Sequence, residues 1–515
     1  MAVELIRDVL KVEEIKGKEQ VQTLVETEIY LNQTKPDIGN ILWTDGKVEL
    51  MNTKLIQDKI LVSGIVNFKV VYRSKEENPS IQILETNSDF KEEIEIEGIN
   101  EEMKSEIGVD LEYIEHELLD ERKVSLKALV NIESKVEKTN SLEVVKDIKG
   151  GDGLQTLREK IKYSDILGTE ESNAIVKEAF GLDEDMPAIE EILKVDLNTY
   201  EKESNVSDDR IILAGVVECS IIYYGGEKLN SLKREISFNH FVEMPGIPKD
   251  SDCQLKLSIA DAQYELKEDL EGNMKVIDLE VKIHVSAKVY EQVQKEAILD
   301  AYSTRRKVDI KKDKLTITET VKEITSRETV KGSLNNYTFG EIYNIEGKSL
   351  ILDSRLMEGK IIVEGILSLK VLCSEEKSKE IMQVKGEIPF KTYVDIEENY
   401  ENIYIEGESA IEDITYRIND GRMEIETAIK NILLLKREKR VDVIQDLQET
   451  DEMIDKKKRP SVTIYMVQKG DTLWDISKRY NTIMEELIAS NNILSPDSLM
   501  PGEKIIIEKN VDLNF

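Results

Sequence analysis

Residues able to do chemistry are few and widely spaced in this chain. Its three histidines, His116, His240 and His284, stand singly, with no HxxxH or HExxH spacing to bring two imidazoles to one metal. Cys219, Cys253 and Cys373 form no CxxC pair and sit in apolar, strand-like stretches, as small buried side chains in a reducing compartment do. No GxSxG or Walker loop is present, and acidic residues are so abundant that any pair of them reads as a solvated strand face. The run Gly150-Gly151-Asp152-Gly153 offers backbone amides suited to phosphate, but lacks a following Lys-Ser/Thr pair and a clear preceding strand. It reads as a flexible loop leading into a helix. These features point away from catalysis and from any bound metal or cofactor.

Recognition chemistry is concentrated at residues 462–509. A short strand with Ile464 and Met466 breaks at Gly470, and Thr472 with Asp475 three places on forms a capping-box pattern. Leu473, Ile476 and Tyr480 share one helical face. A second short helix carries Met484, Leu487 and Ile488, and Pro501-Gly502 turns into a strand with Ile505 and Ile507. The expected unit is βααβ with a core of Val467, Ile476, Tyr480, Leu487 and Ile505. The pattern Y-x-V-x-x-G-D-T-L-W-x-I-S-x-x-Y, followed by P-G-x-x-I-x-I, resembles the LysM module. That resemblance implies a shallow groove for N-acetylglucosamine polymers, shaped by two loops. Here these are Gly470, Asp471, Thr472 and Leu473 on one side, and Asn492, Ile493 and Leu494 on the other. Leu499, Pro501 and Gly502 flank them. The glycines, the cap and the proline serve the fold whatever the ligand.

Upstream, the chain repeats itself. Gly64, Gly215 and Gly365 lie in matching apolar stretches with a period of about 150 residues. Matching blocks follow at Phe90, Phe238 and Phe390, and again from Lys123, Lys275 and Arg422. The blocks are rich in Val, Ile and Tyr and are separated by turn pairs such as Asp45-Gly46 and Gly225-Gly226, so they read as strands. Each repeated glycine marks a bulge or a close backbone approach. The second copy is expected to carry a helical insertion, since Leu154, Leu157, Ile161 and Ile166 fall at helix-like spacing. The expected architecture is mainly β with an α+β tip: repeats at 1–140, 141–302 and 303–444, a charged linker at 445–461, and the βααβ module at 462–509.

The three repeats resemble the SPOCS domain of spore-coat proteins, and tandem units with a C-terminal LysM resemble the SipL-like members of that family. The resemblance implies a sporulation scaffold at the forespore surface, within the mother-cell cytoplasm. Its LysM would dock on the coat morphogenetic ATPase SpoIVA and its repeats would meet other coat proteins, with peptidoglycan as the alternative ligand. On that reading Lys469, Ile493 and Leu494 form part of the protein contact. Composition sets outer bounds. With 104 acidic against 70 basic residues, the net charge of −34 opposes nucleic-acid binding. The opening MAVELIRDVLKVEE has no secretory apolar core and no later run suits a membrane span, so a cytosolic location is expected.

Overall fold

The computed structural model describes residues 3–77, 79–335, 337–396, 400, 402–455, 460–493 and 499–509. The first repeat comprises β1 (Glu4–Tyr30), β2 (Ile38–Ile56), β3 (Lys59–Ser74), β4 (Ile81–Glu95), β5 (Lys104–Asp120) and β6 (Lys123–Lys149). The second comprises β7 (Leu154–Gly181), β8 (Glu191–Ser207), β9 (Arg210–Gly225), β10 (Lys228–Glu243), β11 (Asp252–Glu268) and β12 (Met274–Ser303). The third comprises β13 (Arg306–Leu334), β14 (Phe339–Met357), β15 (Lys360–Glu375), β16 (Ile381–Asp395), β17 (Ile403–Asn419) and β18 (Arg422–Met453). Every repeat forms two antiparallel three-stranded sheets, ordered β1-β6-β5 and β2-β3-β4 in the first.

The two central strands supply the core between the sheets. In β3, Ile60, Val62, Val66, Phe68 and Val70 alternate inward, against Val124, Leu126, Ala128, Val130 and Ile132 of β6. This period of two is what a half-buried strand requires. The repeated glycine sits in the middle of that face. Gly64 pairs with Phe90, Gly215 with Phe238 and Gly365 with Phe390 on the neighbouring strand. The phenylalanine ring lies across the glycine, so a β-carbon at Gly64 would stand 2.5 Å from Phe90 Cζ. On the opposite strand a register shift falls beside each glycine, between Leu50/Asn52, Glu201/Glu203 and Ile351/Asp353. Close approach and bulge therefore occur together, bending the sheet where the ring needs room.

The expected helical insertion is absent. Residues 154–181 form β7, the counterpart of β1 and β13, paired along its whole length with β12. Leu157 is exposed while Ile161 and Tyr163 are buried, a period of two that the helix-like spacing of leucines had masked. Long-range pairing with a valine-rich partner overrides a weak local preference. Gly151 and Gly153, at φ +79° and +73°, turn the chain into this strand rather than into a helix. The linker is likewise shorter than expected. β18 continues to Met453, with Leu447 opposite Ile310 and buried. Val144 and Val145, beyond the expected border at 140, are also buried in strand. Residues 456–459 of the expected linker lie outside the described residues.

The outer strands overrun their own sandwiches and meet in shared cores. Leu10 and Val12, Ile161 and Tyr163, and Leu315 and Ile317 pack together with Val144, Ala297 and Val443. Val145, Ile298 and Ile444 form a second layer. At the other end Trp43, Val71, Leu193, Ile222 and Leu372 close a third. Each layer draws on all three repeats, which therefore surround a common pseudo-threefold axis.

Polar groups occupy that axis beside the last layer. Trp43, Lys194 and Asn344 lie opposite the matching residues Val71, Ile222 and Leu372. Lys194 is nearly enclosed, with Nζ 2.7 Å from Asp45, 3.3 Å from Asp196 and 2.7 Å from Glu346, one carboxylate from each repeat. Burial disfavours its charge, but the three carboxylates outweigh that and raise its pKa. Burial also pushes Asp196 up to about 7, with Glu346 and Asp45 adding to it against the pull of Lys194.

Two outcomes test this account. Gly215→Ala forces a β-carbon into the Phe238 ring and should destabilise the protein by about 1–3 kcal/mol in urea titration. Lys194→Met leaves three carboxylates without their cation and should cost on the order of 3 kcal/mol, moderated by their partial access to water. Asp196 holds its proton more tightly folded than unfolded, so its contribution to stability falls as pH rises from about 4 through about 7. Asp196→Asn should therefore raise Tm relative to the parent more at pH 8 than at pH 5. An equal change at both would contradict it.

Candidate functional site: the LysM module and its seat

The C-terminal module consists of β19 (Val462–Met466), α1 (Leu473–Tyr480), α2 (Met484–Asn491) and β20 (Lys504–Glu508). Local chemistry sets each boundary. Thr472 caps α1, its Oγ1 accepting from Asp475 N at 3.1 Å while Asp475 Oδ2 accepts from Thr472 N at 3.3 Å. Both helices end on a left-handed asparagine, Asn481 and Asn492, at φ 42° and 53°. Val467, Ile476, Leu487 and Ile505 form the buried core, with Tyr480 half-buried against it.

The two expected loops are held from beneath. Asp471 Oδ2 accepts from Tyr465 OH at 2.6 Å and from Gln468 N at 2.8 Å, and these bonds lower its pKa. Arg479 donates to the same tyrosine oxygen at 2.7 Å. Opposite, Gly502 N donates to Val467 O at 2.8 Å and Gly502 adopts φ +91°. Gly470, Thr472, Asn492, Pro501 and Gly502 are exposed, whereas Leu473 is turned into the interior. Ile493 and Leu499 pack half-buried against the core, and Leu494 lies outside the described residues. In these loops the amides of Asp471, Thr472, Asn492, Ile493 and Gly502 and the carboxylate of Asp471 are engaged within the module. Asn491 was not anticipated. Its side chain donates to Ile506 O at 2.7 Å and accepts from Ile506 N at 2.6 Å, fastening α2 to the β20 backbone.

The larger surprise is that the module is seated on the repeats. Trp474 Nε1 donates to Asp300 Oδ2 at 2.8 Å, and Lys478 Nζ reaches the same oxygen at 2.6 Å. Tyr302 OH donates to Thr482 O at 2.7 Å, Asn481 Nδ2 donates to Ser303 O at 3.2 Å, and the Tyr302 and Trp474 rings meet edge to face. Burial raises the pKa of Asp300, but hydrogen bonds from Lys478, Trp474 and Lys312 prevail and hold it below the usual carboxylate range. The sequence signal was a tryptophan on the helix face turned away from the module's core, where water would otherwise meet it.

The remaining candidates do not converge. His116 stands 3.4 Å from Thr44 Oγ1, His240 2.9 Å from Ser172 Oγ, and His284 4.0 Å from Glu171. Cys219 and Cys373 are buried, and burial pushes each thiol up to about 12. Among the described residues no group of His, Cys, Asp or Glu is placed to hold a metal ion. Among them, too, no helix is long and apolar enough to cross a membrane.

Three repeated sandwiches and a βααβ tip define the class. The family model described as SipL, SPOCS domain matches residues 37–119, 188–267 and 339–419, and the LysM domain model matches 465–508. The chain carries three SipL SPOCS domains followed by a LysM domain. Each SPOCS match runs from the start of the second strand of its repeat into the fifth, leaving out the long outer strands. A spore coat assembly protein, ExsA of Bacillus cereus, is 54% identical over 43 residues, 8% of this chain and 7% of that protein. The chain thus aligns with a small fraction of that relative's length. No solved structure matches the chain.

The cap provides the local test. Thr472→Ala should destabilise the LysM module by about 1 kcal/mol. The check is amide exchange in α1, with the repeats unaffected.

Proposed function

We propose that this protein is a non-catalytic sporulation scaffold that joins spore-coat assembly to the forespore surface. The observation that carries the reading is the combination of three SPOCS domains in one closed body with a LysM that keeps Gly470, Thr472, Asn492, Pro501 and Gly502 exposed. The family models that match are those of binding and scaffold domains, and the coat-assembly relative supports the same setting. In this reading the working units are the three six-stranded repeats and the LysM, and the protein acts in the mother cell. The LysM groove, with Gly470, Thr472, Asn492, Pro501 and Gly502 at its rim, docks on the morphogenetic ATPase SpoIVA. The sandwich surfaces meet other coat proteins. Several weak interfaces on one chain raise the effective concentration of each at the forespore.

A second reading, peptidoglycan binding in cortex or wall, is favoured by one feature. Gly470 and Gly502 are exposed and carry no side chain, so a sugar face could approach the backbone closely there.

Met500 projects from the groove rim with 73% of its surface exposed. Met500→Arg should weaken co-purification of the full chain with the coat ATPase at least tenfold, without loss of fold. A fluorescent fusion should ring the forespore and lose that ring on LysM deletion. Undiminished capture by the deleted chain would refute protein docking, and sedimentation of the full chain with purified peptidoglycan would favour the second reading.

A further inference from the structure

The three repeats meet at three seams, and an acid from one repeat faces a base from the next at each. The acids follow matching apolar pairs: Val144-Val145 precedes Asp147, Ala297-Ile298 precedes Asp300, and Val443-Ile444 precedes Asp446. The bases match as well, each three residues before a shared-core residue: Arg7 before Leu10, Arg158 before Ile161, Lys312 before Leu315. Around the axis, Arg158 of the second repeat bonds Asp147 of the first at 2.5 Å. Arg7 of the first faces Asp446 of the third at 3.6 Å and donates to Gln445 O at 2.6 Å. Lys312 of the third reaches Asp300 of the second at 2.9 Å.

The third seam differs in two linked ways. An arginine presents a planar fork of donors, whereas a lysine is a single charged point. Lys312 is bonded to one oxygen of Asp300, Oδ1, and the bonds to Oδ2 come from the LysM. With the LysM seated on it, Asp300 is the most deeply covered of the three acids, its side chain 11% exposed against 39% for Asp147 and 43% for Asp446. A buried carboxylate needs its lone pairs filled. Trp474 and Lys478 of the LysM fill them. The matching positions beyond the acids explain why the module sits at this corner: Tyr302, which stacks on Trp474, is Lys149 and Gln448 in the other repeats.

We propose that the LysM is the clamp of the third seam, its α1 face supplying at Asp300 the donors to Oδ2 that Lys312 does not. The module then has two separate working faces. One holds the second and third repeats together, and Gly470, Thr472, Asn492, Pro501 and Gly502 on the other stay exposed while it does so. This inference does not depend on what the groove binds.

The test is hydrogen exchange on the full chain, with no partner present. In a Trp474→Ala/Lys478→Ala variant the strand ends at 297–303 and 308–317 should exchange at least tenfold faster. The matching ends of the first repeat, at 4–12 and 140–149, which pair with each other and not with either of those strands, should be unchanged. Adding Lys312→Arg should restore protection at the third seam without reseating the LysM. Tyr302→Ala approaches the contact from the repeat side and leaves the module's own sequence intact. It should make Trp474 accessible to acrylamide while Trp43 stays shielded. An unaltered third seam in the double variant would overturn the proposal, as would equal acceleration at all three seams or failure of Lys312→Arg to restore it.

Discussion

Strand length is the constraint from which the architecture follows. The inner strands of each repeat run 15 to 19 residues, but the outer ones run 27 to 32. At roughly 3.3 Å per residue the outer strands extend for about 90 Å if straight, more than one sandwich can cover. Their overrunning halves carry apolar residues of their own, such as Leu10, Ile161 and Leu315, and those must be buried somewhere. They are buried against one another. No repeat can satisfy its outer hairpin alone, and the three become one body.

This explains which parts of the fold were legible in sequence. The inner strands are dense in valine and isoleucine and carry the glycine and phenylalanine markers, so the repeat and its period stand out. The outer strands are diluted by charge: β7 shows Leu154, Leu157 and Ile161 at helix-like spacing, and its strand character comes from pairing with β12 more than a hundred residues away. The tail of β18 reads as linker because one buried residue, Leu447, stands among acids and amides. The LysM was readable almost completely because caps, turns and core all fall within a short segment. Its seat was not, since Asp300 and Trp474 are 174 positions apart and the outward tryptophan alone does not say what covers it.

The same contrast separates the two faces of the module. Groove residues are set by turn geometry and would look alike in any domain of this fold, which is why motif and ligand are only loosely connected. The α1 face is matched to one corner of the repeats. Trp474, Lys478 and Asn481 answer Asp300, Tyr302 and Ser303, and the pairing has no counterpart at the other two corners.

The polar axis bears on why three such units share one polypeptide. At matching positions around it stand Trp43, Lys194 and Asn344, beneath Asp45, Asp196 and Glu346. Three identical subunits would have to repeat one choice three times. Copies of the second would crowd three ammonium groups into a space that holds one, and copies of the first would gather three carboxylates with no cation among them. Covalent fusion breaks that symmetry, letting each copy diverge until a single lysine serves all three. Once that division of labour exists the copies are no longer interchangeable, and cutting the chain apart would not yield three units able to replace one another around the axis.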